Sequence, residues 1–518
     1  MEEQRSGTDQ DHPDVDFVGQ SLPVMGVSKN RGFRTKVIAC IIGSSVVFSI
    51  LAVSLLSLSV RQTKQVSSEQ RSRQQHLYDT ILDWHVTSKE TLDDSSSAQY
   101  QAWDWLSAES GTIDIDTLRG RYALATLYFS NKASWHQDEH WLSDHPVCLW
   151  HGVQCWETSQ LPLVRSVNLT SNGLHGTIPP EIALLLDDVQ GIDLSFNNIQ
   201  GNLPDLSSLE SLKELHLSDN DISGPIPASF YSLSSLEQLY IEDCKLSGSV
   251  AEEIGQLSLL RGLDLHNNYL SGSIPSSIDS MTDLKLLYLD ANKLTGRIPT
   301  TIGALSQLVD VRLQHNRLEG PIPPQISNLR ILQILYLNDN QLTGSIPGEA
   351  LADLKLLDQL QLYNNNLDGV IPSELSKMVL LNVLYLDQNS LHGSIPENLA
   401  SMEFLEQLYL YKNNLSGRIP TEFGSMKVLS DLRLQDNRLS GTIPKELVDM
   451  KSLEILYLQN NTLEGSVPPL PTSLERAELQ DNELTGTVDC RGVAVLTELV
   501  SDCNEPTLTC ECCTHCFP

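Results

Sequence analysis

Apolar and polar residues follow one arrangement that recurs about every 24 residues from Val164 onward. Residues 332–347, LQILYLNDNQLTGSIP, are a clean copy, in which apolar residues stand on either side of a variable position. Successive side chains of a strand point to opposite faces, so this alternation predicts a short strand with its apolar residues pointing inward. A single copy cannot bury its own apolar face, and we therefore expect the strands of successive copies to stack in parallel.

We count 14 copies, which occupy residues 161–489. Their first apolar residues are Val164, Val189, Leu212, Leu236, Leu260, Leu284, Leu308, Leu332, Leu357, Leu381, Leu405, Leu429, Leu453 and Leu474. A period of about 20–29 residues with this signature is that of the leucine-rich repeat. The sequence therefore predicts an α/β solenoid, a right-handed leucine-rich-repeat superhelix with a parallel sheet on its concave side. Strands ~4.8 Å apart would give a face on the order of 60 Å long.

A recurring asparagine and a recurring glycine are assigned structural roles. The asparagine, for example Asn268, can both donate and accept, so it can satisfy backbone groups where the chain leaves the strand. The glycine, for example Gly224, suits a backbone conformation or close approach that a side chain would hinder. The Ile-Pro that follows in most copies adds one apolar residue to the core and prevents helix formation at that point.

The repeat resembles the plant-type leucine-rich repeat of receptor kinases and receptor-like proteins, LxxLxLxxNxLxGxIPxxIGxLxx. Residues 148–155, CLWHGVQC, match the C-x-W-x-G-V-x-C of that family's N-terminal cap, which we place at residues 116–160. The resemblance implies that this cap covers the leucines and strand edges at the open end of the solenoid. A cysteine-rich cap is expected at the other end, over residues 490–518.

More specifically, the chain resembles the membrane-anchored leucine-rich-repeat proteins of diatoms and related algae. The shared features are an N-terminal tail, a spanning helix, a stalk with QYQAWDWL at residues 99–106, and C-x-C-C-x-x-C at residues 510–516. The chain departs from the plant receptor kinases because no residues follow the C-terminal cap for a kinase domain. Residues 1–36 are also too short for a catalytic domain.

Residues 37–60 contain no charged side chain, and a helix of this length covers the ~30 Å hydrocarbon layer of a membrane. We predict a single transmembrane helix here, with a disordered cytosolic tail at residues 1–36 and a stalk at residues 61–115. A cleaved signal peptide is the weaker alternative, because it would need a short basic leader and an apolar run of ~7–15 residues. Basic residues flank both ends of the segment and leave its orientation close to undecided.

The chain is strongly acidic, with 34 Lys and Arg against 66 Asp and Glu in 518 residues and a net charge of −32. This balance argues against nucleic acid as a partner, since phosphates would be repelled. It is weakly consistent with a cationic partner, although a solvated acidic surface is the simpler interpretation. The sequence has no glycine-rich phosphate loop, no H-E-x-x-H pair and no G-x-S-x-G motif. We therefore expect a protein that is not an enzyme and binds no cofactor and no metal.

The ten cysteines are concentrated at the two ends of the solenoid. Apart from Cys40 in the predicted span and Cys244 in the fourth repeat, they are Cys148, Cys155, Cys490, Cys503, Cys510, Cys512, Cys513 and Cys516. An even set at the ends indicates disulfides and an oxidising compartment. We expect Cys148 to pair with Cys155, the last six to pair among themselves, and Cys244 to be a buried free thiol. Zinc bound by the C-terminal set is the alternative, although adjacent cysteines fit its spacing poorly.

Ligand binding is expected on the outward position between the two strand leucines. The residues that we predict to bind are Tyr240, Asp264, Tyr288, Arg312, Tyr336, Tyr385, Tyr409, Arg433 and Tyr457. Tyrosine offers a large, stiff contact area with a polar end, which binding surfaces favour, but it also has a high strand propensity of its own. Neighbouring acidic residues would favour a ligand that is cationic or rich in hydrogen-bond donors. Sequons at Asn168, Asn414 and Asn460 predict glycosylation and place the repeats outside the cytosol.

These features predict a cell-surface, receptor-like protein, a glycoprotein of the plasma membrane with its N-terminus in the cytosol. It would bind an extracellular peptide, protein or glycan and would signal, if at all, through a co-receptor or a cytoplasmic kinase. Two alternatives remain open: an adhesive or wall-binding structural protein, and a membrane-tethered inhibitor of wall-degrading enzymes.

Overall fold

The computed structural model describes residues 68–109, 114–131, 135–157, 163–489, 493, 495–503, 508–510 and 512–517. The chain divides into two units, Met1–Arg73 and Gln74–Pro518. The first is described over 68–73 alone, which is helical, so the predicted tail and transmembrane helix lie outside the described residues. In the part that is described, no helix is long and apolar enough to cross a membrane.

Helices precede the repeats. Residues 74–83 are helical, and the helices that follow are Lys89–Asp93, Ala98–Ala108 and Ile115–Ser130. Each of these three begins at a side chain that accepts from a backbone N–H of its first turn, namely Ser88, Ser97 and Asp114.

Residues 74–109 of the segment predicted as a stalk are a component of the N-terminal cap. Ile81, Leu92, Ala102 and Leu106 are buried in the same core as the first repeats. The repeat pattern carries no information about these helices, and only their apolar positions could have indicated that they pack against the cap. A separate stalk over residues 74–109 is therefore not what the structure shows.

Arg121 joins the helices to the cap. Its guanidinium lies against the rings of Trp105 and Trp150, 5.0 and 5.3 Å from their centroids, and the two rings contact each other at 5.8 Å. It pairs with Glu109 and donates to the backbone carbonyl of His145 at 2.9 Å. The Arg121 and Glu109 side chains are only 6% and 14% exposed, so this ion pair is largely removed from water.

One strand from each predicted repeat joins a long sheet. In the described residues this sheet has 17 strands, and all of its pairs are parallel except that between the first two. The strands are Val153–Cys155, Val164–Asn168, Gly191–Asp193, Glu214–His216, Gln238–Tyr240, Gly262–Asp264, Leu286–Tyr288, Asp310–Arg312, Ile334–Tyr336, Gln359–Gln361, Val383–Tyr385, Gln407–Tyr409, Asp431–Arg433, Ile455–Tyr457, Arg476–Glu478, Glu498–Asp502 and His515–Phe517. The last two lie in the cysteine-rich segment, so the sheet continues past residue 489, where the repeats were predicted to end.

A second row of strands flanks the long sheet, and it forms two separate sheets in the described residues. The first consists of His175–Gly176, Asn198–Asn202, Asp221–Gly224, Lys245–Ser249, Tyr269–Gly272, Lys293–Gly296, Arg317–Gly320, Gln341–Ser345 and Asn366–Asp368. The second consists of His392–Gly393, Asn414–Gly417, Arg438–Gly441, Thr462–Ser466, Glu483–Val488 and Leu508–Cys510. Between the two, an isolated bridge joins Val370 to His392, and the N–H groups of Ser390 and His392 donate to the carbonyls of Leu367 and Gly369, both at 2.8 Å.

Short helices line the remaining side of the repeats. The 3₁₀ helices are Val147–Leu149, Pro180–Asp188, Ala228–Ser232, Glu252–Gln256, Ser276–Ser280, Thr300–Ala304, Pro324–Asn328, Ser373–Lys377, Glu397–Ser401, Thr421–Ser425 and Lys445–Asp449. The repeat just before the break in the flanking sheets carries an α-helical turn instead, Gly348–Leu351.

The core is a continuous stack of leucine and isoleucine side chains with a ladder of asparagines along one edge. In the ladder, Asn292 accepts from the N–H of Leu270 at 2.9 Å and donates to the carbonyl of Leu265 at 2.9 Å. The predicted role of the asparagine is thus confirmed: it replaces backbone partners that the chain loses as it leaves the strand. The predicted role of the glycine is confirmed at Gly224, where φ is +82°.

The described cysteines form disulfides at both ends. Cys148 pairs with Cys155, Cys503 with Cys516, and Cys510 with Cys513. Cys512 is also disulfide-bonded, whereas Cys490 lies outside the described residues.

Cys244 is a buried free thiol, as predicted, and takes the place of a ladder asparagine. Its Sγ lies 3.6 Å from the carbonyl oxygen of Leu217, and burial raises the pKa of the thiol to about 11. At neutral pH the thiol is therefore protonated.

Candidate ligand-binding surface

The outward side of the long sheet, which we call the strand face, carries three parallel rows of side chains. They come from the first and third residues of each strand and from the residue two positions later, because alternate residues share a face. The middle row contains all nine predicted binding residues, and the strands pair in register, with Tyr385 beside Tyr409 and Tyr409 beside Arg433. The structure thus brings the predicted residues together in one row.

The middle of the row contains a unit built around Arg312. Its guanidinium donates to the carboxylate of Asp310 through Nη2 at 2.9 Å and through Nε at 3.2 Å. It also lies over the rings of Tyr288 and Tyr336, with its Cζ 4.6 and 5.6 Å from their centroids. The Tyr288 hydroxyl donates to the same carboxylate at 2.8 Å, and Asp310 is only 6% exposed. We name these four residues the first arginine unit.

The same arrangement occurs around Arg433 and forms the second arginine unit. Arg433 donates to Asp431 through Nη2 at 2.8 Å and through Nε at 2.9 Å. Its Cζ lies 4.5 Å from the ring of Tyr409 and 5.2 Å from that of Tyr457. The Tyr409 hydroxyl donates to Asp431 at 2.7 Å. The hydrogen bonds to Asp431 hold the pKa of Arg433 above its ordinary value, so the arginine stays charged.

Tyrosines outside the arginine units also contact their neighbours along the row. Tyr385 stacks on Tyr409 with ring centroids 4.1 Å apart, and the ring of Tyr240 stacks on that of His216 at 4.8 Å. Gly262 allows Tyr240 to lie over the next strand, because a Cβ there would collide with the tyrosine hydroxyl. These outward residues are therefore half-buried and held in fixed positions.

An acidic patch precedes the first arginine unit. His266 contacts Asp264 at 2.8 Å and Asp243 at 3.3 Å. The hydrogen bond to Asp264 and the surrounding carboxylates raise the pKa of His266 to about 9. Burial raises the pKa of both Asp290 and Glu242 beside this patch. The patch would attract a basic group of a ligand more strongly than an acidic one.

The third row of the strand face contains buried acceptor oxygens. Those without a hydrogen-bond partner in the described protein belong to Glu242, Gln314, Asn338, Asp387, Gln435, Gln459 and Gln480. Burial raises the pKa of Asp387 to about 6. These oxygens are shielded from solvent by their neighbours, so they are not presented to a ligand on the face.

The three predicted glycosylation sites differ in their surroundings. Asn168 is exposed at the end of its strand on the strand face, and its Nδ2 donates to Asp193 at 3.3 Å. Asn460 is exposed and donates to Asp436 at 2.6 Å, while Asn414 is half-buried in a flanking strand. A glycan attached to Asn168 would cover the first strands of the face.

Asp310 and Asp431 are among the acidic residues that neighbour the predicted binding row, and the structure buries both beneath their arginines. The signal was present in the sequence, since DVRLQ and DLRLQ place an aspartate two residues before each arginine. On a strand this spacing puts both side chains on one face. In the described ranges, no group of three or more His, Cys, Asp or Glu side chains is placed to hold a metal ion.

Comparison with family models identifies the repeats directly. Residues 192–246, 330–391 and 403–463 match one leucine-rich-repeat model, and residues 259–281 match another. The chain therefore contains leucine-rich repeats, as the sequence pattern predicts.

Among curated proteins, the chain is similar to plant receptor kinases. A probable inactive receptor kinase of Arabidopsis thaliana is 38% identical over 105 residues, which are 20% of this chain and 16% of that protein. A probable leucine-rich-repeat receptor-like serine/threonine kinase of the same plant is 38% identical over 95 residues, 17% of this chain and 10% of that protein. The chain thus spans only a small part of these relatives.

Among solved structures, the fold is similar to that of plant receptor ectodomains. The Arabidopsis receptor kinase HAESA, in complex with the peptide hormone IDA and the co-receptor SERK1, is 28% identical with a TM-score of 0.62; 77% of this chain and 70% of that chain are covered. The plant peptide hormone receptor RGFR1 in complex with RGF2 is 30% identical with a TM-score of 0.60, covering 65% and 59%. The fold of the repeats is thus similar to that of plant receptor ectodomains.

Proposed function

We propose that this chain is a receptor-like recognition protein that binds an extracellular peptide along its strand face. One observation carries the proposal: the face holds an ordered row of tyrosine, arginine and acidic side chains fixed by contacts with one another. Fixed aromatic and arginine side chains dominate binding energies at protein interfaces, because little entropy is lost when they are covered. The similar solved structures HAESA and RGFR1 are complexes with peptide hormones, which favours a peptide over a glycan.

We further propose that the repeats lie outside the cell and that residues 37–60 anchor the chain in the plasma membrane, with the N-terminus in the cytosol. Disulfides at both ends of the described solenoid support an oxidising compartment. Protease treatment of sealed membranes, with a tag on each end of the chain, tests this arrangement. Digestion of the repeats from the cytosolic side would contradict it.

In this proposal the chain has no catalytic activity of its own and signals through a co-receptor or a cytoplasmic kinase. We also propose that the chain is related to the membrane-anchored leucine-rich-repeat proteins of diatoms, which residues 99–106 and 510–516 resemble. Recruitment of a kinase to the full chain when peptide is added would distinguish a receptor from an adhesive protein and from an inhibitor of wall-degrading enzymes. Binding to isolated cell walls without any recruited kinase would favour the adhesive role.

The role of the strand face is tested by replacing Tyr336 and Tyr385 together with alanine. We expect the affinity of the full chain for peptides selected from a random 12-residue library to fall by a few kcal/mol if both rings contact the peptide. The alanine variant also loses the stacking of Tyr385, so Tyr336→Phe/Tyr385→Phe, which keeps the rings, serves as the control. Affinity should also fall as salt rises, since charges are screened over ~8–10 Å. Unchanged binding in the alanine variant would indicate that the peptide binds at the outer loops or the caps instead of the strand face.

A further inference from the structure

The two arginine units occupy equivalent places in two copies of one longer sequence block. Residues 310–320, DVRLQHNRLEG, correspond to residues 431–441, DLRLQDNRLSG, and both units continue with ILYL one repeat later. The arginine, its aspartate and both tyrosines are preserved in the two blocks, whereas the outward position elsewhere is Asn, Asp, His, Gln, Glu or Tyr. This part of the face therefore recurs as a block of several repeats and not from one repeat to the next.

Each unit fixes one side of its guanidinium and leaves the other side free to bind. The Nε and Nη2 atoms bond to the buried aspartate, and the guanidinium carbon lies over both tyrosine rings. The side chains of Arg312 and Arg433 are nevertheless 37% and 29% exposed. The aspartate neutralises the arginine, so the exposed edge offers N–H donors that suit a neutral acceptor such as a peptide carbonyl.

The distance between the units follows from the sheet. Asp310–Arg312 and Asp431–Arg433 are five strands apart along the long sheet. At ~4.8 Å per strand this separates the two arginines by about 24 Å. An extended peptide rises ~3.3 Å per residue, so about seven residues cover this distance.

The face between the two units is acidic. The four intervening strands, Ile334–Tyr336, Gln359–Gln361, Val383–Tyr385 and Gln407–Tyr409, contain no lysine or arginine. Asp358 is half-buried and Glu406 is exposed beside them, and Asp387 is buried in the same interval. A ligand that crosses this interval is complementary in charge if its centre is basic.

We propose that one extended peptide with a basic centre binds both arginine units at once, presenting a neutral acceptor group to each about 24 Å apart. This inference rests on the proposed function and adds the length, polarity and two-point attachment of the ligand. Attachment at two fixed points makes the second contact intramolecular, so two weak contacts combine into a tight one.

The test uses 12-residue peptides selected from a random library on the full chain, together with five-residue fragments cut from their two ends. Arg312→Lys and Arg433→Lys keep the positive charge beside each buried aspartate but lose the flat, stacked donor group. Arg317→Lys and Arg438→Lys are matched controls, because these arginines are exposed in flanking strands of the same two repeats.

We expect each unit variant to weaken binding of the 12-residue peptides about tenfold, or ~1.4 kcal/mol, and the double variant about a hundredfold, because the units are far apart. Calorimetry should give a stoichiometry of one 12-residue peptide per chain but of two five-residue fragments per chain. The selected peptides should be rich in Lys or Arg at their centres. The control variants should bind like the original chain. If thermal unfolding shows that Arg312→Lys is less stable than the original chain, Asp310→Asn/Arg312→Gln, which removes the whole ion pair, is used in place of Arg312→Lys.

Three results would overturn the inference while leaving the proposed function intact. These are dependence of binding on one arginine only, two 12-residue peptides bound per chain, and selected peptides with acidic centres. If no peptide is retained at all, the proposed function itself fails. Retention of oligosaccharides through the same two arginines, without any peptide, would exclude the peptide as the occupant.

Discussion

At the scale of single residues, the repeats make each position comparable with its counterparts one strand away. A residue that departs from the pattern can therefore be judged against neighbours in nearly identical surroundings. Cys244 is such a departure, since it stands where Asn220 and Asn268 continue the ladder on either side. Its sulfur is a weak donor and a weak acceptor, whereas each asparagine forms several hydrogen bonds.

Cys244→Asn should stabilise the protein. An asparagine would offer an acceptor to the N–H of Ile222 and donors to the carbonyls of Leu217 and Ile241, as Asn268 does one repeat later. We expect the free energy of unfolding to rise by about 1–2 kcal/mol, measured by denaturant unfolding. The reverse exchange, Asn268→Cys, should lower it by a similar amount. Equal stability of all three proteins would mean that the ladder does not need an amide at this point.

His266 should make part of the stability depend on pH. Its pKa is raised to about 9 in the folded protein, against an ordinary value of ~6.5 in the unfolded chain. The charged histidine therefore contributes stability that is fully present below about pH 6.5 and is lost as the pH rises through 9. The difference in unfolding free energy between the original chain and His266→Asn should be large at pH 6 and vanish near pH 10. A difference that is constant with pH would show that the contacts with Asp264 and Asp243 contribute nothing.

At the scale of elements, the N-terminal helices depend on contacts between unlike elements, whereas each repeat packs against near-copies of itself. Arg121 on the helix Ile115–Ser130 is held by Trp105 and Glu109 from the preceding helix and its end, and by Trp150 of the cap. Burial raises the pKa of Glu109 while its pairing with Arg121 opposes that rise. Such a pair is costly to break on one side only.

Arg121→Met should destabilise the cap by about 3–5 kcal/mol, because it leaves Glu109 buried without its partner. Arg121→Met/Glu109→Met should recover part of this loss, since no uncompensated charge remains. The fluorescence of the tryptophans around Arg121 gives the unfolding of the cap directly. If the double variant were less stable than the single one, the hydrogen bonds of Arg121 to the carbonyls of Ser143 and His145 would dominate instead.

At the scale of the whole molecule, the sequence predicts the repeats well and the contacts between repeats poorly. The strands, the asparagine ladder and the outward row can be predicted because the same residue pattern recurs along the repeats. The helices of residues 74–109 have no such period, and the prediction therefore separated them from the cap that they help to form. The burial of Asp310 was also missed, because it depends on Arg312 and Tyr288, which become its neighbours only when two strands pair.

Removing one terminal disulfide should loosen the solenoid from its end rather than everywhere. Cys503 and Cys516 are separated by 13 residues, and a loop of this size corresponds to ~3 kcal/mol of stabilisation. In Cys503→Ser/Cys516→Ser, hydrogen exchange should accelerate in Glu498–Asp502 and fade with each strand toward the middle, because each repeat contacts only its neighbours. Exchange in Gln238–Tyr240 is the internal control. A uniform acceleration along the chain would show that the solenoid unfolds as one unit.

The flanking hydrogen bonds give the molecule a mechanical property. Up to Asn366–Asp368 and again from His392–Gly393, successive repeats are connected by hydrogen-bonded strands on two sides. Between these two sheets the N–H groups of Ser390 and His392 donate to the carbonyls of Leu367 and Gly369, both at 2.8 Å, so the second connection persists at this point between Arg312 and Arg433. Because bonds on both sides resist bending there, the molecule should act as a stiff spacer. The separation of the two arginines would then stay constant, and a ligand would have to match it.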